Sequence, residues 1–288
     1  MLRKAPVLQV AWGYAANLLV IAGLVLPLLV LTSSALRTER DLLEHSHNLL
    51  PTKVTFENIL NLALGRQGAD LPNQARFYPR AFLNSAIVSL SVALIVSILG
   101  SLSAYSIARL RFWGDHAMAF GVLAMRMVPL FVLIIPLYAM FARLRLLGSP
   151  LAIILPQAGL FLPYTIWILM GQFAAIPRDI EDAARIDGCS RFGAFLRIVI
   201  PLSTPGLTAN AVIIFLLSWN DLLLPMIMTN QVQQMTLPVL ISSFVTSKYL
   251  SYSVINAAGL LATIPVLLLA ALLQRYVVHG LTAGAVKG

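Results

Sequence analysis

The chain has 288 residues, of which 59% are hydrophobic and only 11% are charged. Soluble domains carry about 25% charged residues, so this composition argues against a soluble protein and indicates a lipid solvent. The net charge of +9 does not indicate nucleic-acid binding, because no basic run exceeds two residues and basic clusters are not interleaved with aromatic residues. The single cysteine, Cys189, and the four dispersed histidines exclude an internal disulfide and a metal site with ordinary ligand spacing.

Apolar segments long enough to cross the roughly 30 Å hydrocarbon core of a bilayer as helices recur along the chain. In chain order they cover about 12–34, 82–106, 117–141, 151–172, 205–228 and 255–277. Prolines lie inside several of these segments, and each proline frees a backbone carbonyl that only a neighbouring helix or a watery cavity can satisfy. The pattern predicts an all-α integral membrane protein whose six transmembrane helices form a bundle around a path.

The basic residues of the loops favour a cytoplasmic N-terminus. With the N-terminus inside, the cytoplasmic segments are richer in Lys and Arg than the two short outer loops. The long first outer loop, about 35–80, also carries basic residues, which weakens the asymmetry. We therefore expect a multi-pass protein of the cytoplasmic (inner) membrane with both termini, and the segment between spans four and five, on the cytoplasmic side.

That segment contains the stretch EDAARIDGCSRFGAFLRIVIP, from Glu181 to Pro201. Pro177 suits a first helical position, Gly188 suits a helix end with positive φ, and Ser190 suits a helix N-cap. The pattern predicts a short helix at the membrane surface, a glycine turn and a second helix that Pro201 helps to end. By composition alone, an ordinary amphipathic surface loop is the alternative.

The spacing of Asp182-Ala183-Ala184, Gly188 and Ile198-x-Ile200-Pro201 is similar to the E-A-A-x3-G-x9-I-x-L-P signature of ATP-binding-cassette importer permeases. Asp182 stands where the family has Glu, one methylene longer, and Ile200 stands where it has Leu. The resemblance implies a cytoplasmic coupling helix that docks on a partner ATPase. The residues implied in coupling are Glu181, Asp182, Ala183, Ala184, Arg185, Asp187, Gly188 and Pro201.

Further motifs resemble the second permease subunit of maltose-type carbohydrate importers. They are Phe82-Leu83-Asn84-Ser85, Arg126-Met127-Val128-Pro129, Ser218-Trp219-Asn220-Asp221 and the tail over 273–288. The resemblance implies a permease core over 75–288, preceded over 1–74 by an N-terminal span and the first extracytoplasmic loop. It implies an importer for a sugar or sugar-derived solute, with a polyol, an anionic sugar derivative or another small solute as alternatives.

The same resemblance implies the partners. They are a sister permease subunit, two copies of an ATP-binding-cassette ATPase, an extracytoplasmic solute-binding protein and membrane lipid, without nucleic acid. The sequence contains no G-x-x-x-x-G-K-[ST] phosphate-binding loop, so ATP and Mg are expected on the ATPase subunits and no cofactor on this chain. The chain is not expected to be an enzyme.

The candidate path residues are Asn84, Arg126, Trp219, Asn220 and Asp221. Arg126 and Asp221 are charges inside predicted spans, where exposure to lipid is costly. Hydrogen bonding to helix carbonyls is the alternative to a substrate contact for Arg126. Helix packing is the alternative to a path or gate for Trp219-Asn220-Asp221, and we expect no direct ion pair between Arg126 and Asp221.

The outer loop from Thr229 to Tyr252 contains Met235-Thr236-Leu237-Pro238. This segment resembles the one that reaches into the docked binding protein in maltose-type systems, and a surface re-entrant loop without partner contacts is the alternative.

Two other function classes compete with the importer. An ion-coupled carrier usually shows two related halves with broken helices, and the sequence shows no such internal symmetry. A membrane enzyme needs paired carboxylates or a nucleophile beside a base, whereas the charges within the predicted spans are Arg126 and Asp221.

Overall fold

The computed structural model describes residues 7–68, 71–110, 112–245 and 251–282, with side chains from Trp12 to Ala271 within these ranges. The described residues form helices joined by turns and irregular segments, and they contain no β-strand. The α-helices are α1 (Val7–Ala35), α2 (Glu39–Glu44), α3 (Glu57–Leu64), α4 (Tyr78–Arg109), α5 (Asp115–Met125), α6 (Leu130–Arg143), α7 (Leu151–Ala175), α8 (Arg178–Ile186), α9 (Arg191–Ala194), α10 (Ile200–Leu202), α11 (Thr204–Trp219), α12 (Leu223–Met228), α13 (Leu237–Val245) and α14 (Tyr252–Thr282). A π-helical turn, Phe195–Val199, joins α9 to α10, and 3-10 turns cover Asn73–Phe77 and Val232–Gln234.

Four stretches are long and apolar enough to cross a membrane. They are Trp12–Ala35, Asn73–Arg109, Leu151–Ala175 and Tyr252–Ala271. Two bent pairs also qualify, namely α5 with α6 at 90° and Arg191–Leu202 with α11 at 78°. The described chain therefore has four candidate spans, or up to six if each bent pair is one span.

The predicted third span, 117–141, is not one straight helix. Helix α5 ends at Met125, and α6 begins only after Pro129, whose ψ of 135° is extended. Proline has no N–H to donate to the preceding turn and disfavours helical geometry at the residue before it. The apolar segment is long enough for one span, but its helix is broken at Pro129.

The predicted fifth span, 205–228, is interrupted as well. Helix α11 ends at Trp219 and the short α12 begins at Leu223. The Asn220 amide donates to the Leu216 carbonyl at 2.9 Å, and the Asp221 carboxylate accepts from the Leu223 N–H at 3.1 Å. Side chains that bond to nearby backbone groups offer the chain an alternative to the helix, so α11 stops here.

The chain divides into two compact units, Met1–Pro79 with Ile241–Ile264 and Arg80–Leu240 with Pro265–Gly288. In the first unit, Glu39 caps the start of α14, because its carboxylate accepts from the Ser253 N–H at 2.8 Å and the Ser251 hydroxyl at 2.9 Å. Asn58 donates to the Arg37 carbonyl at 3.1 Å and to the Ser253 hydroxyl at 3.2 Å. These buried polar contacts fix the segment after α1 against the first turn of α14.

The core of the second unit contains an aromatic cluster formed by Tyr105 of α4, Phe173 of α7 and Phe195 of the π-helical turn. The Tyr105 ring centroid lies 4.6 Å from that of Phe195 and 6.4 Å from that of Phe173. Further along, Gly100 lets α4 approach α7 closely, because a Cβ at this position would lie 2.4 Å from Thr165 Cγ2. Helices α4 and α7 are therefore tightly packed, and the segment that follows α7 packs against them through Phe195.

Candidate functional site

The first part of the segment after α7 has the predicted helix and turn, although Pro177 is the N-cap residue of α8 and not its first helical residue. Pro177 directly precedes α8, and Gly188 turns the chain with φ of +87°, a conformation that favours glycine. The hydroxyl of Ser190 accepts from the Gly193 N–H at 3.0 Å and so caps the second helix. The segment is a helix, a glycine turn and a second helix.

Pro201 does not end the second helix as predicted. The helix continues one residue further, to Leu202, and the chain bends at Ser203 before α11 begins. Pro201 has no N–H for the Arg197 carbonyl, and the turn just before it is π-helical rather than α-helical. The effect of the proline is therefore a distorted turn, and the bend follows it.

Large apolar side chains of this segment lie on the surface. Ile186 is 86% exposed and Phe192 is 59% exposed, on either side of the Gly188 turn. Ala183 is exposed next to them, and a Cβ at Gly188 would meet nothing within 4 Å. We call Ala183, Ile186, Gly188 and Phe192 the docking surface, because exposed apolar side chains are available for contact with another protein.

The charged residues of α8 differ sharply in their surroundings. Asp182 is exposed and lies 3.4 Å from Arg185, also exposed, one helical turn away. Asp187, the C-cap residue of α8, is exposed as well. Glu181 instead is buried and faces α4, where its carboxylate lies 3.0 Å from the Arg109 guanidinium. Of the predicted coupling acids, Asp182 and Asp187 are thus available to a partner and Glu181 is not.

Asp221 belongs to a buried polar network that the sequence motif only partly indicated. Gln157 of α7 donates to the Asp221 carboxylate at 2.7 Å and accepts from the Ser218 hydroxyl at 2.6 Å. The other Asp221 oxygen accepts from the Leu223 N–H at the start of α12. The network ties α11 and α12 to α7. Gln157 is a member of this network that sequence analysis missed, although a glutamine inside an apolar helix was the available signal.

Trp219 and Asn220 have different surroundings although they are neighbours. The Trp219 ring is buried, stacked on Phe215 at 5.6 Å and edge-on to Phe82 at 5.4 Å. Asn220 is exposed. The structure therefore gives Trp219 a packing role and leaves Asn220 accessible.

Asn84 holds the loop that contains the predicted binding-protein contacts. Its amide donates to the Gln233 carbonyl at 3.0 Å and to the Met235 carbonyl at 2.9 Å. The neighbouring Ser85 hydroxyl accepts from the Leu237 N–H at 2.7 Å, and Thr236 and Leu237 are buried. In this conformation only Met235 and Pro238 of the four predicted contacts keep partial exposure.

Arg126 lies at the break between α5 and α6, exposed on a largely apolar groove of about 870 Å³. Its guanidinium stands over the Tyr164 ring, 4.9 Å from the centroid, a favourable cation–π arrangement. Among the described residues it has no carboxylate or carbonyl partner, and it does not pair with Asp221. Within the described part of the chain, the helix-carbonyl contact predicted as the alternative for Arg126 is not formed.

Comparison with known proteins identifies a family that matches most of the chain. Residues 78–282 match the family described as "binding-protein-dependent transport system inner membrane component". The diacetylchitobiose uptake system permease protein of Streptomyces coelicolor is 31% identical over 277 residues, which cover 96% of this chain and 97% of the relative. The trehalose transport system permease protein of Mycobacterium tuberculosis is 34% identical over 272 residues, 94% of this chain and 95% of the relative.

Among solved structures, the chain is similar to one described as a bacterial ABC transporter involved in the import of the acidic polysaccharide alginate. The TM-score is 0.76 at 17% identity, and the match covers 96% of this chain and all of that chain. At this identity the similarity shows a shared fold.

Proposed function

The chain belongs to the family of binding-protein-dependent transport system inner membrane components. We propose that it is the permease subunit of an ATP-driven importer for a sugar or sugar-derived solute. The relatives that match nearly its whole length are permeases of sugar uptake systems. A polyol or an anionic sugar derivative on the same machinery is the alternative cargo.

The working complex contains two such permeases, this chain and a sister subunit, with two copies of an ATPase that bind ATP and Mg. An extracytoplasmic binding protein delivers the solute, as the family description supports. Helices α5 and α6 cross the inner membrane together as one broken span, and α11 crosses it after the bend at Ser203. With the four straight spans this gives six spans with both termini in the cytoplasm. In this topology α8 lies on the cytoplasmic side, where the ATPase docks.

The observation that carries the coupling role is the docking surface. Ile186 and Phe192 are exposed around the Gly188 turn, and the Ala183 side chain beside them is small enough for close approach of another protein. Burying these apolar groups against the ATPase stabilises the complex in proportion to the area removed from water. Asp182 stands beside this surface, where it can accept charge-assisted hydrogen bonds from a basic residue of the partner.

For the solute route, the exposed Arg126 and Asn220 are the stronger candidates among the five predicted residues. Asn84, Trp219 and Asp221 are engaged within the chain. A guanidinium and an amide both bind hydroxyl groups, and the aromatic and apolar lining near Arg126 suits the C–H faces of a sugar.

The proposal is tested by measuring solute uptake in cells with and without the gene for the ATPase subunit. An importer of this kind loses uptake when either the ATPase or the binding protein is removed. Uptake that persists without the ATPase and follows an imposed ion gradient would identify an ion-coupled carrier instead.

A further inference from the structure

Glu181 differs from the rest of α8 in where it points. Within α8, every residue of which the structure describes, Glu181 alone is buried, with 8% of its surface exposed. One carboxylate oxygen lies 3.0 Å from Arg109 Nε, and the other accepts a hydrogen bond from the Tyr105 hydroxyl at 3.1 Å. Tyr105 and Arg109 are four residues apart and so share one face of α4. The contact joins the first turns of α8 to the last turn of α4.

Arg109 also holds the chain where it enters α8. Its Nη2 donates to the Ile176 carbonyl at 2.6 Å, just before Pro177. The α4 end of the contact is itself fixed, because the Tyr105 ring packs in the aromatic cluster with Phe173 and Phe195. Helix α8 is therefore attached at two points to a rigid part of the second unit.

The burial of Arg109 and Glu181 affects the free energy needed to separate them. The Arg109 and Glu181 side chains are 5% and 11% exposed, so salt and water screen them little. Removing one partner of such a pair leaves an uncompensated buried charge, whereas an exposed pair such as Asp182 with Arg185 contributes little. Separating Glu181 from Arg109 would therefore cost more free energy than separating an exposed pair.

We infer that Glu181, Arg109 and Tyr105 form the mechanical link that passes a displacement of α8 to α4. These are positioning residues, which act through α4 and touch neither ATP nor the solute. The inference rests on the proposed function, because it takes α8 as the element that the ATPase moves. It assigns Glu181 to transmission within this chain and leaves docking to the exposed residues.

The test uses the complete transporter, with its ATPase, sister permease and binding protein, reconstituted in liposomes. The solute molecules imported per ATP hydrolysed are measured for Glu181→Gln, together with the ATPase that co-purifies. We expect normal co-purification and a fall in the import ratio of roughly two- to thirtyfold, the range reported for substitutions along coupling routes. Adding Glu181→Gln to Arg109→Gln should lower the ratio no further than Arg109→Gln alone, because Arg109→Gln already breaks the ion pair.

The matched control is the double change Arg40→Gln with Glu44→Gln, which removes an exposed ion pair of α2 and should leave the ratio unchanged. An unchanged ratio in Glu181→Gln, loss of the ATPase from the complex, or additive losses in the double variant would each overturn the link. If Glu181→Gln does not accumulate, the import ratio is measured for Tyr105→Phe. This change removes the hydrogen bond to Glu181 and keeps the ion pair, and an unchanged ratio would again overturn the link. If Gly188→Leu also left uptake normal, the proposed function itself would fail, and not only the link.

Discussion

Polar side chains accompany the break between α11 and α12 in the second unit. Asp221 accepts from the Leu223 N–H and from Gln157, and Asn220 donates to the Leu216 carbonyl. In an apolar environment such groups must be satisfied within the protein, since an unsatisfied one costs about 1–3 kcal/mol. Asp221 therefore has a structural explanation that requires no contact with the solute.

Replacing Asp221 with Ala should lower the stability of the protein. The change leaves the Leu223 N–H and the buried Gln157 amide without their acceptor, and an unsatisfied buried group costs about 1–3 kcal/mol. The midpoint of thermal unfolding in detergent should fall, and Asn220→Ala, next in the chain but exposed, should change it little. An unaltered midpoint for Asp221→Ala, with uptake lost, would return Asp221 to the solute path.

Gly188 allows a prediction with a built-in control. Its φ of +87° disfavours side chains with a Cβ, and the left-handed conformation costs such residues roughly 1–2 kcal/mol. Gly188→Leu should abolish uptake while the protein still inserts, because it distorts the turn and covers the docking surface. Gly188→Asn should retain most uptake, since Asn tolerates positive φ at helix ends. Equal uptake by both variants, measured at matched membrane levels, would argue against a role for the turn.

At the scale of elements, the length of apolar runs was sufficient to predict the straight spans, and residue-specific rules predicted the turn after α8. The breaks in spans three and five were not predicted, although Pro129 and the Asn220-Asp221 pair were visible in the sequence. The length of an apolar run indicates how many residues can lie in the lipid. The position of a helix break depends instead on which backbone carbonyls the neighbouring elements satisfy. The inward direction of Glu181 depends on Arg109, 72 positions earlier in the numbering, and helical periodicity alone carries no information about such a contact.

The docking surface predicts a loss of assembly on a charge substitution. Ile186→Asp places a carboxylate where we propose that an apolar contact is buried, and an unpaired buried charge is strongly unfavourable. The variant should lose the ATPase during co-purification with the affinity-tagged permease. Leu43→Asp, at an exposed leucine of α2, is the matched control and should retain the ATPase. Full retention by Ile186→Asp would mean that the ATPase docks elsewhere.

At the scale of the whole molecule, the proposed topology places α8 and both termini in the cytoplasm. In a background that lacks Cys189, a cysteine at Arg178 should react with a membrane-impermeant maleimide only after the membrane is permeabilised. A cysteine at Lys53, which is exposed in the first outer loop, should react in intact spheroplasts. Labelling at position 178 in intact spheroplasts would invert the topology and remove α8 from the ATPase.

We propose that this chain couples ATP hydrolysis on a partner to the import of a sugar. The most direct measurement is ATP hydrolysis by the complete complex in liposomes, with the binding protein added outside, either free or loaded with its sugar. We predict that the loaded binding protein stimulates hydrolysis and that Gly188→Leu removes this stimulation. A rate of hydrolysis that does not change with the loaded binding protein, or an equal stimulation in Gly188→Leu, would contradict this coupling.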